Sequence, residues 1–188
     1  MRKIIAIGGE PATGKSTIMK KFIKSTEDRR PGATWFERED VKLVPTLYMS
    51  GSNLHIIGKY PEGEPFGGTD RLSMAVQPQA VKFVKETTGN VLFEGDRLFN
   101  QSFLELLADD PTLDLKIIFI TASPATIHAR HEVRNDTQTD TFKRGRETKI
   151  ENLMSNMVLM PLSETYVNET PEDQHKIIQY LIDELILG

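Results

Sequence analysis

Near the amino terminus, Gly9-Glu10-Pro11-Ala12-Thr13-Gly14-Lys15-Ser16 fits the pattern G-x-x-x-x-G-K-[ST] at every fixed position. Each part has a physical task. Glycines let the backbone curl until its N–H groups point inward at phosphate oxygens. The helix that follows offers its positive end to the same anions. Lys15 neutralises charge on the β- and γ-phosphates, and the Ser16 hydroxyl ligates magnesium. The segment Gly9 to Thr17 is therefore expected to bind a nucleoside triphosphate, taken as ATP with Mg2+. Within it, Glu10, Pro11, Ala12 and Thr13 form the turn. A glycine-rich turn with a chance Lys-Ser is the plain alternative. The setting weighs against it. The motif follows the apolar run ending at Ile7 and opens a segment in which Ile18, Met19, Phe22 and Ile23 recur at helical spacing.

A phosphate loop of this kind is served by an acid at the end of a neighbouring strand. Val91-Leu92-Phe93-Glu94-Gly95-Asp96 supplies one. Glu94 is expected at the metal with Ser16. Asp96 lies where open α/β sheets place ligands. Either acid could face magnesium while the other orients the acceptor; a polar turn closing a buried strand is the alternative. A hydroxyl acceptor also benefits from a carboxylate that takes its proton. The candidates are the group Glu37, Glu39 and Asp40, then Asp70, then Asp96. Asp70-Arg71 and Asp96-Arg97 are acid–base pairs beside glycines. Asp70 or Asp96 is the expected base, with Asp40, Arg71 and Arg97 as acceptor contacts. Thr69 or Asp70 could instead simply cap a helix.

Positioning these groups requires strands that end at them. Apolar runs predict strands at Arg2 to Ile7, Thr34 to Glu37, Asn90 to Phe93, Lys116 to Ile120 and Tyr166 to Asn168. Val44 to Met49 and Leu54 to Lys59 flank a short polar turn and predict a β-hairpin. Tyr60 to Gly68 reads as a flexible Gly- and Pro-rich segment, and Arg30-Pro31-Gly32 as a turn. Helices are expected at Lys15 to Lys24, Gln79 to Thr87, Gln101 to Leu107, Ala125 to Arg134 and Arg146 to Val158. A last helix follows Thr170-Pro171, with Thr170 as cap. Asn135 to Thr141 reads as a loop. The alternation predicts an α/β fold: a parallel sheet of about five strands flanked by helices, with the hairpin as an insertion.

The chain has 188 residues, enough for a single domain with its own core. It has no cysteine, which excludes disulfides and thiolate chemistry. Its net charge of −4 supplies no global pull toward nucleic acid or anionic membrane. The first apolar run is too short to span a membrane, so a cytoplasmic protein is expected. His55, His128, His131 and His175 show no metal-ligand spacing. Nothing in the sequence indicates an oligomeric state.

On these motifs the chain resembles the small P-loop kinases, the broad nucleoside- and nucleotide-kinase group, over nearly its whole length. No Asn-Lys-x-Asp motif for reading guanine is present. The resemblance implies a P-loop NTPase fold and a helical lid over roughly residues 125–150. That region carries Arg130, Arg134, Lys143, Arg144, Arg146 and Lys149. Arg130 and Arg134 share a helix face and would stabilise charge during transfer. A solvated basic helix is the competing explanation. The resemblance also implies an adenine-contacting loop at Asn168 to Pro171. Gly58-Lys59-Tyr60, Phe66 to Leu72 and Phe93 to Leu98 look like kinases of bacteriophages. One such group phosphorylates 5-hydroxymethyluracil within DNA. That likeness implies a nucleoside-like hydroxyl acceptor, free or in modified DNA, with Lys42, Lys59, Arg71 and Arg97 near its phosphates. Two other functions remain open: a kinase for nucleoside monophosphates or another small metabolite, and a nucleotide-binding switch with slow hydrolysis.

Overall fold

Ile4, Ile5, Ala6 and Ile7 are all fully buried, which only a strand covered on both faces achieves. This is β1 (Arg2–Gly9), at the heart of the sheet. The computed structural model describes residues 1–29, 34–64, 67–134 and 137–188. The expected turn Arg30-Pro31-Gly32 lies outside them, as do parts of Tyr60 to Gly68 and of Asn135 to Thr141.

The other strands are β2 (Phe36–Val41), β3 (Val44–Met49), β4 (Leu54–Ile57), β5 (Asn90–Glu94), β6 (Leu113–Thr121) and β7 (Ser163–Val167). They form a seven-stranded sheet in the order β2-β3-β4-β5-β1-β6-β7. From β4 to β7 every neighbouring pair is parallel. This is the five-stranded parallel sheet expected from the sequence. The hairpin forms as read, β3 against β4, and its second strand doubles as the outermost parallel strand. β2 does not enter the parallel set. It pairs antiparallel with β3 at the sheet edge, with all but its last residue exposed.

Alternate residues of the central strands feed two cores. Ile4, Ala6, Val91, Phe93, Ile117 and Phe119 face one. It is closed by α2 (Val76–Glu86), α3 (Gln101–Ala108) and α5 (Asp140–Met154). Ile5, Ile7, Leu92, Ile118 and Ile120 face the other, closed by α1 (Lys15–Arg29) and α6 (Pro171–Ile182). Each buried Ile or Phe contributes about 1.5–3 kcal/mol. α6 starts on a full capping box: Thr170 Oγ1 accepts from Asp173 N, and the Asp173 carboxylate accepts from Thr170 N. α4 (Pro124–Val133), capped by Ser123, buries no residue. It lies outside both cores, beside the carboxyl ends of β1 and β6.

Candidate functional site

The phosphate loop joins β1 to α1. Its turn closes through Thr13 Oγ1, which donates to the Glu10 carbonyl at 2.8 Å. Gly14 stands at φ 92°, and a Cβ there would come within 2.5 Å of Asn168 Nδ2. Only glycine combines that φ with that approach. Ala12 has φ 64° without being glycine, a strain that a functional loop can hold when its surroundings over-determine it. Those surroundings are visible. Asn168, buried after β7, donates to the Thr13 carbonyl at 2.7 Å. Arg130 of α4 donates to the Ala12 carbonyl at 3.2 Å and the Asn168 carbonyl at 2.8 Å. Asn168 thus braces the loop, and Arg130 is the strut rather than a lining residue of the cleft. Arg134, one turn on, does line the cleft.

Lys15 folds across its own loop. Its ammonium donates to the Gly9 and Glu10 carbonyls at 2.9 and 2.8 Å. Burial lowers its pKa to about 8, against the opposing pull of Glu94 and Asp70. Glu94 ends β5, level with Ile7 of β1, and is 1 % exposed. Its Oε1 accepts from Ser16 Oγ at 3.0 Å and from the Tyr60 hydroxyl at 3.3 Å. Burial raises the Glu94 pKa to about 7, although Lys15 opposes the shift. Burial pushes both groups toward neutrality. Phosphate oxygens would restore the charge of Lys15, and a divalent cation that of Glu94. A hydroxyl and a carboxylate are hard oxygen donors of the type Mg2+ takes alongside phosphates. Ser16 and Glu94 therefore fit the metal that the motif implies.

The other acids differ in their partners. Asp96 forms an ion pair with Arg146 of α5, and the Lys149 ammonium donates to the Asp96 carbonyl at 3.1 Å. Burial lowers the pKa of both lid cations. Burial, then Glu147 and Glu151 of α5, raises Glu10 in the phosphate loop. The α5 helix therefore lies over the loop and is tied to the end of β5. Asp70 sits in a single 3-10 turn, Thr69–Arg71, and its side chain caps nothing. Thr69 instead donates to the Gly95 carbonyl at 2.9 Å, which anchors the turn beside β5.

An open cleft of about 630 Å³ runs from Gly9 and Lys15 to Asp70, Asp96, Arg134 and Arg146. Past Asp70 and Asp96 it continues into a second space of about 790 Å³ that adds Arg71 and Arg97. The structure thus gathers Lys15, Ser16, Glu94, Asp70, Asp96, Arg71, Arg97 and Arg134 around one continuous groove. Asp40 is not among them. It lies on β2, exposed and paired with Arg38 at 3.0 Å, because β2 forms the far antiparallel edge. Tyr60 was not foreseen as a site residue. No spacing marks it, and its approach to Glu94 spans 34 residues of chain.

No family model and no curated protein matches the chain. Solved structures do. A gluconokinase from Sinorhizobium meliloti 1021 aligns over 100% of this chain and 98% of its own, at 13% identity and a TM-score of 0.50. The chain has the α/β P-loop NTPase fold. Two further similar structures are an uncharacterized protein from Eubacterium ventriosum ATCC 27560 and a shikimate kinase from Bacteroides thetaiotaomicron. The first is 15% identical over 100% of both chains, with a TM-score of 0.47. The second is 13% identical over 97% of both, with a TM-score of 0.45. Among the described residues, no helix is long and apolar enough to cross a membrane.

Proposed function

We propose that the chain is an ATP-dependent kinase that phosphorylates a hydroxyl group on a small acceptor carrying an anionic group. One convergence carries the proposal. Lys15 and Glu94 at the phosphate loop and Asp70 across from them line or abut the same cleft, and beyond Asp70 that cleft widens between Arg71 and Arg97. The likeness to a gluconokinase supports the reaction class, not the acceptor.

The loop N–H groups and Lys15 would hold the β- and γ-phosphates. Ser16 and Glu94 would hold magnesium, which offsets the charge gathering on the phosphate oxygens. Asp70 would accept the acceptor's proton as its oxygen bonds to the γ-phosphorus and the bond to the β–γ bridging oxygen breaks. ADP leaves with that oxygen, and Asp70 returns the proton to water. Asp70 suits this role better than Asp96, because Arg146 occupies the Asp96 carboxylate. Arg134 and Arg146 border the transfer space and would balance charge there.

Arg71 and Arg97 border the wider part of the groove but not the phosphate loop. The Arg97 Nε is buried without a hydrogen-bond partner among the described residues. The terminal N–H groups of the Arg97 guanidinium, always charged, suit a carboxylate or phosphate on the acceptor.

The test is ADP release on a panel of hydroxy acids, sugars, nucleosides, nucleoside monophosphates and DNA containing 5-hydroxymethyluracil. Lys15→Ala serves as the blank. Turnover with a small hydroxylated acid is the expected result. Turnover on the DNA alone would favour the phage-type acceptor. Tight ATP binding with no acceptor-dependent turnover would sink the kinase proposal in favour of a nucleotide-binding switch.

A further inference from the structure

Tyr60 is assigned no role by the phosphate-loop or acid motifs, yet its hydroxyl meets the buried Glu94 carboxylate at the phosphate loop. The segment that carries it runs from the end of β4 to the turn at Thr69. Its ends are paired: Lys59 N donates to the Gly68 carbonyl at 3.2 Å, and Gly68 N to the Lys59 carbonyl at 2.8 Å. Gly58 N donates to the Pro45 carbonyl at 2.9 Å. Thr69 fastens the far end to Gly95. The described residues at the two ends of this segment thus form the base of a strap, paired across Lys59 and Gly68 and set on the end of β5.

Gly68 shows how close that contact is. It stands at φ 76°, and a Cβ there would collide with Glu94 Oε1. The strap therefore approaches the carboxylate with bare backbone, and Tyr60 reaches the same oxygen from one side while Ser16 reaches it from another. Both hydroxyls use Oε1. Among the described residues none donates to Oε2. A packing role alone would be met by phenylalanine: the Tyr60 ring lies against the same core as Leu47 and Trp35. The hydroxyl adds one thing only, a hold on Glu94.

We infer that Tyr60 is a positioning residue, whose hydroxyl fixes the Glu94 carboxylate so that Oε2 is left for the cation that accompanies the triphosphate. This rests on the proposal that Ser16 and Glu94 hold magnesium.

The experiment is Tyr60→Phe in the full chain, with ATP affinity measured by calorimetry in Mg2+ and again in EDTA. The wild type should bind ATP more tightly with Mg2+. In Tyr60→Phe that gain should shrink about tenfold, the scale of one hydrogen bond to a charged group. Affinity in EDTA should stay within about twofold, since the phosphate loop is untouched. The Mg2+ concentration for half-maximal turnover should rise by a similar factor, while kcat at saturating Mg2+ holds. Gly68→Ala moves the same carboxylate with the phenol intact and should lose the same gain. An unchanged Mg2+ gain in Tyr60→Phe overturns the inference and leaves Tyr60 a packing residue. Glu94→Gln separates the two levels: if it keeps the full Mg2+ gain, the metal assignment itself fails and the Tyr60 role with it.

Discussion

At its phosphate-loop end the groove is lined mostly by residues of one short segment between Gly9 and Ser16, joined by Glu94 and Arg134. At its other end it is lined by side chains from separate places, among them Asp70 and Arg71 on the turn that follows the strap, Asp96 and Arg97 after β5, and Arg146 on α5. The first end is braced from behind by Asn168 and Arg130. The second is held by a few bonds at the strap's ends and by the Asp96–Arg146 pair. The contrast has a physical consequence. Backbone-built recognition depends on chain geometry and tolerates little change, whereas side-chain recognition can be retuned by substitutions that leave the fold alone.

The largest effect should come at the backbone-built end. Lys15→Ala should cost roughly a thousandfold in turnover, the upper range for losing one preorganised charge stabiliser. Residual turnover within tenfold of wild type would mean that the loop N–H groups suffice alone.

Next is the base. Asp70→Asn should lower kcat by about a hundredfold or more with ATP affinity unchanged. Asp96→Asn should cost less and act through looser docking of α5, seen as a higher KM for ATP. A larger kcat loss in Asp96→Asn would exchange the two roles. Smaller again, Arg97→Met should raise the acceptor KM about tenfold to a hundredfold while kcat holds, the cost of one charge-assisted bond. A pure kcat effect would remove Arg97 from acceptor binding.

The last effect, on stability rather than turnover, concerns the antiparallel wing, β2 and β3 with the adjoining β4. His55 is 5 % exposed, with its ring centre 4.5 Å from Tyr48 and 5.2 Å from Phe83. Burial, then the charge of Arg38, lowers its pKa to about 4, below the ordinary value near 6.5. Between those values the unfolded chain binds the proton and the folded one does not. The stability contributed by the neutral ring is therefore whole above pH 6.5 and is lost as pH falls toward 4. Denaturant titrations should show a loss of roughly 2 to 3 kcal/mol across that window. His55→Leu should flatten it. If the variant keeps the full slope, the acid-sensitive group lies elsewhere.

Some of this was legible in single segments. The glycines and Lys15-Ser16 announce the loop because its geometry is set by neighbours in sequence. Thr170, Pro171 and Asp173 announce the start of α6 for the same reason. Glu94 could be read because the apolar run of β5 ends on it. Asp40 was misplaced because nothing local tells a strand whether it will enter the parallel set or pair antiparallel at the edge. Arg130 was read as a group for the transfer step, but it is committed to carbonyls of the phosphate loop 118 residues away.

The triphosphate loop and the alternation of strands and helices follow from the chain alone, because hydrogen bonds and side-chain periodicity within a few residues dictate them. The groove beyond the loop does not. Which acid carries Arg146, which stands open, and that Tyr60 reaches Glu94 depend on where strap, strand end and lid meet. Contacts between distant segments decide that, through burial and charge that no local pattern encodes.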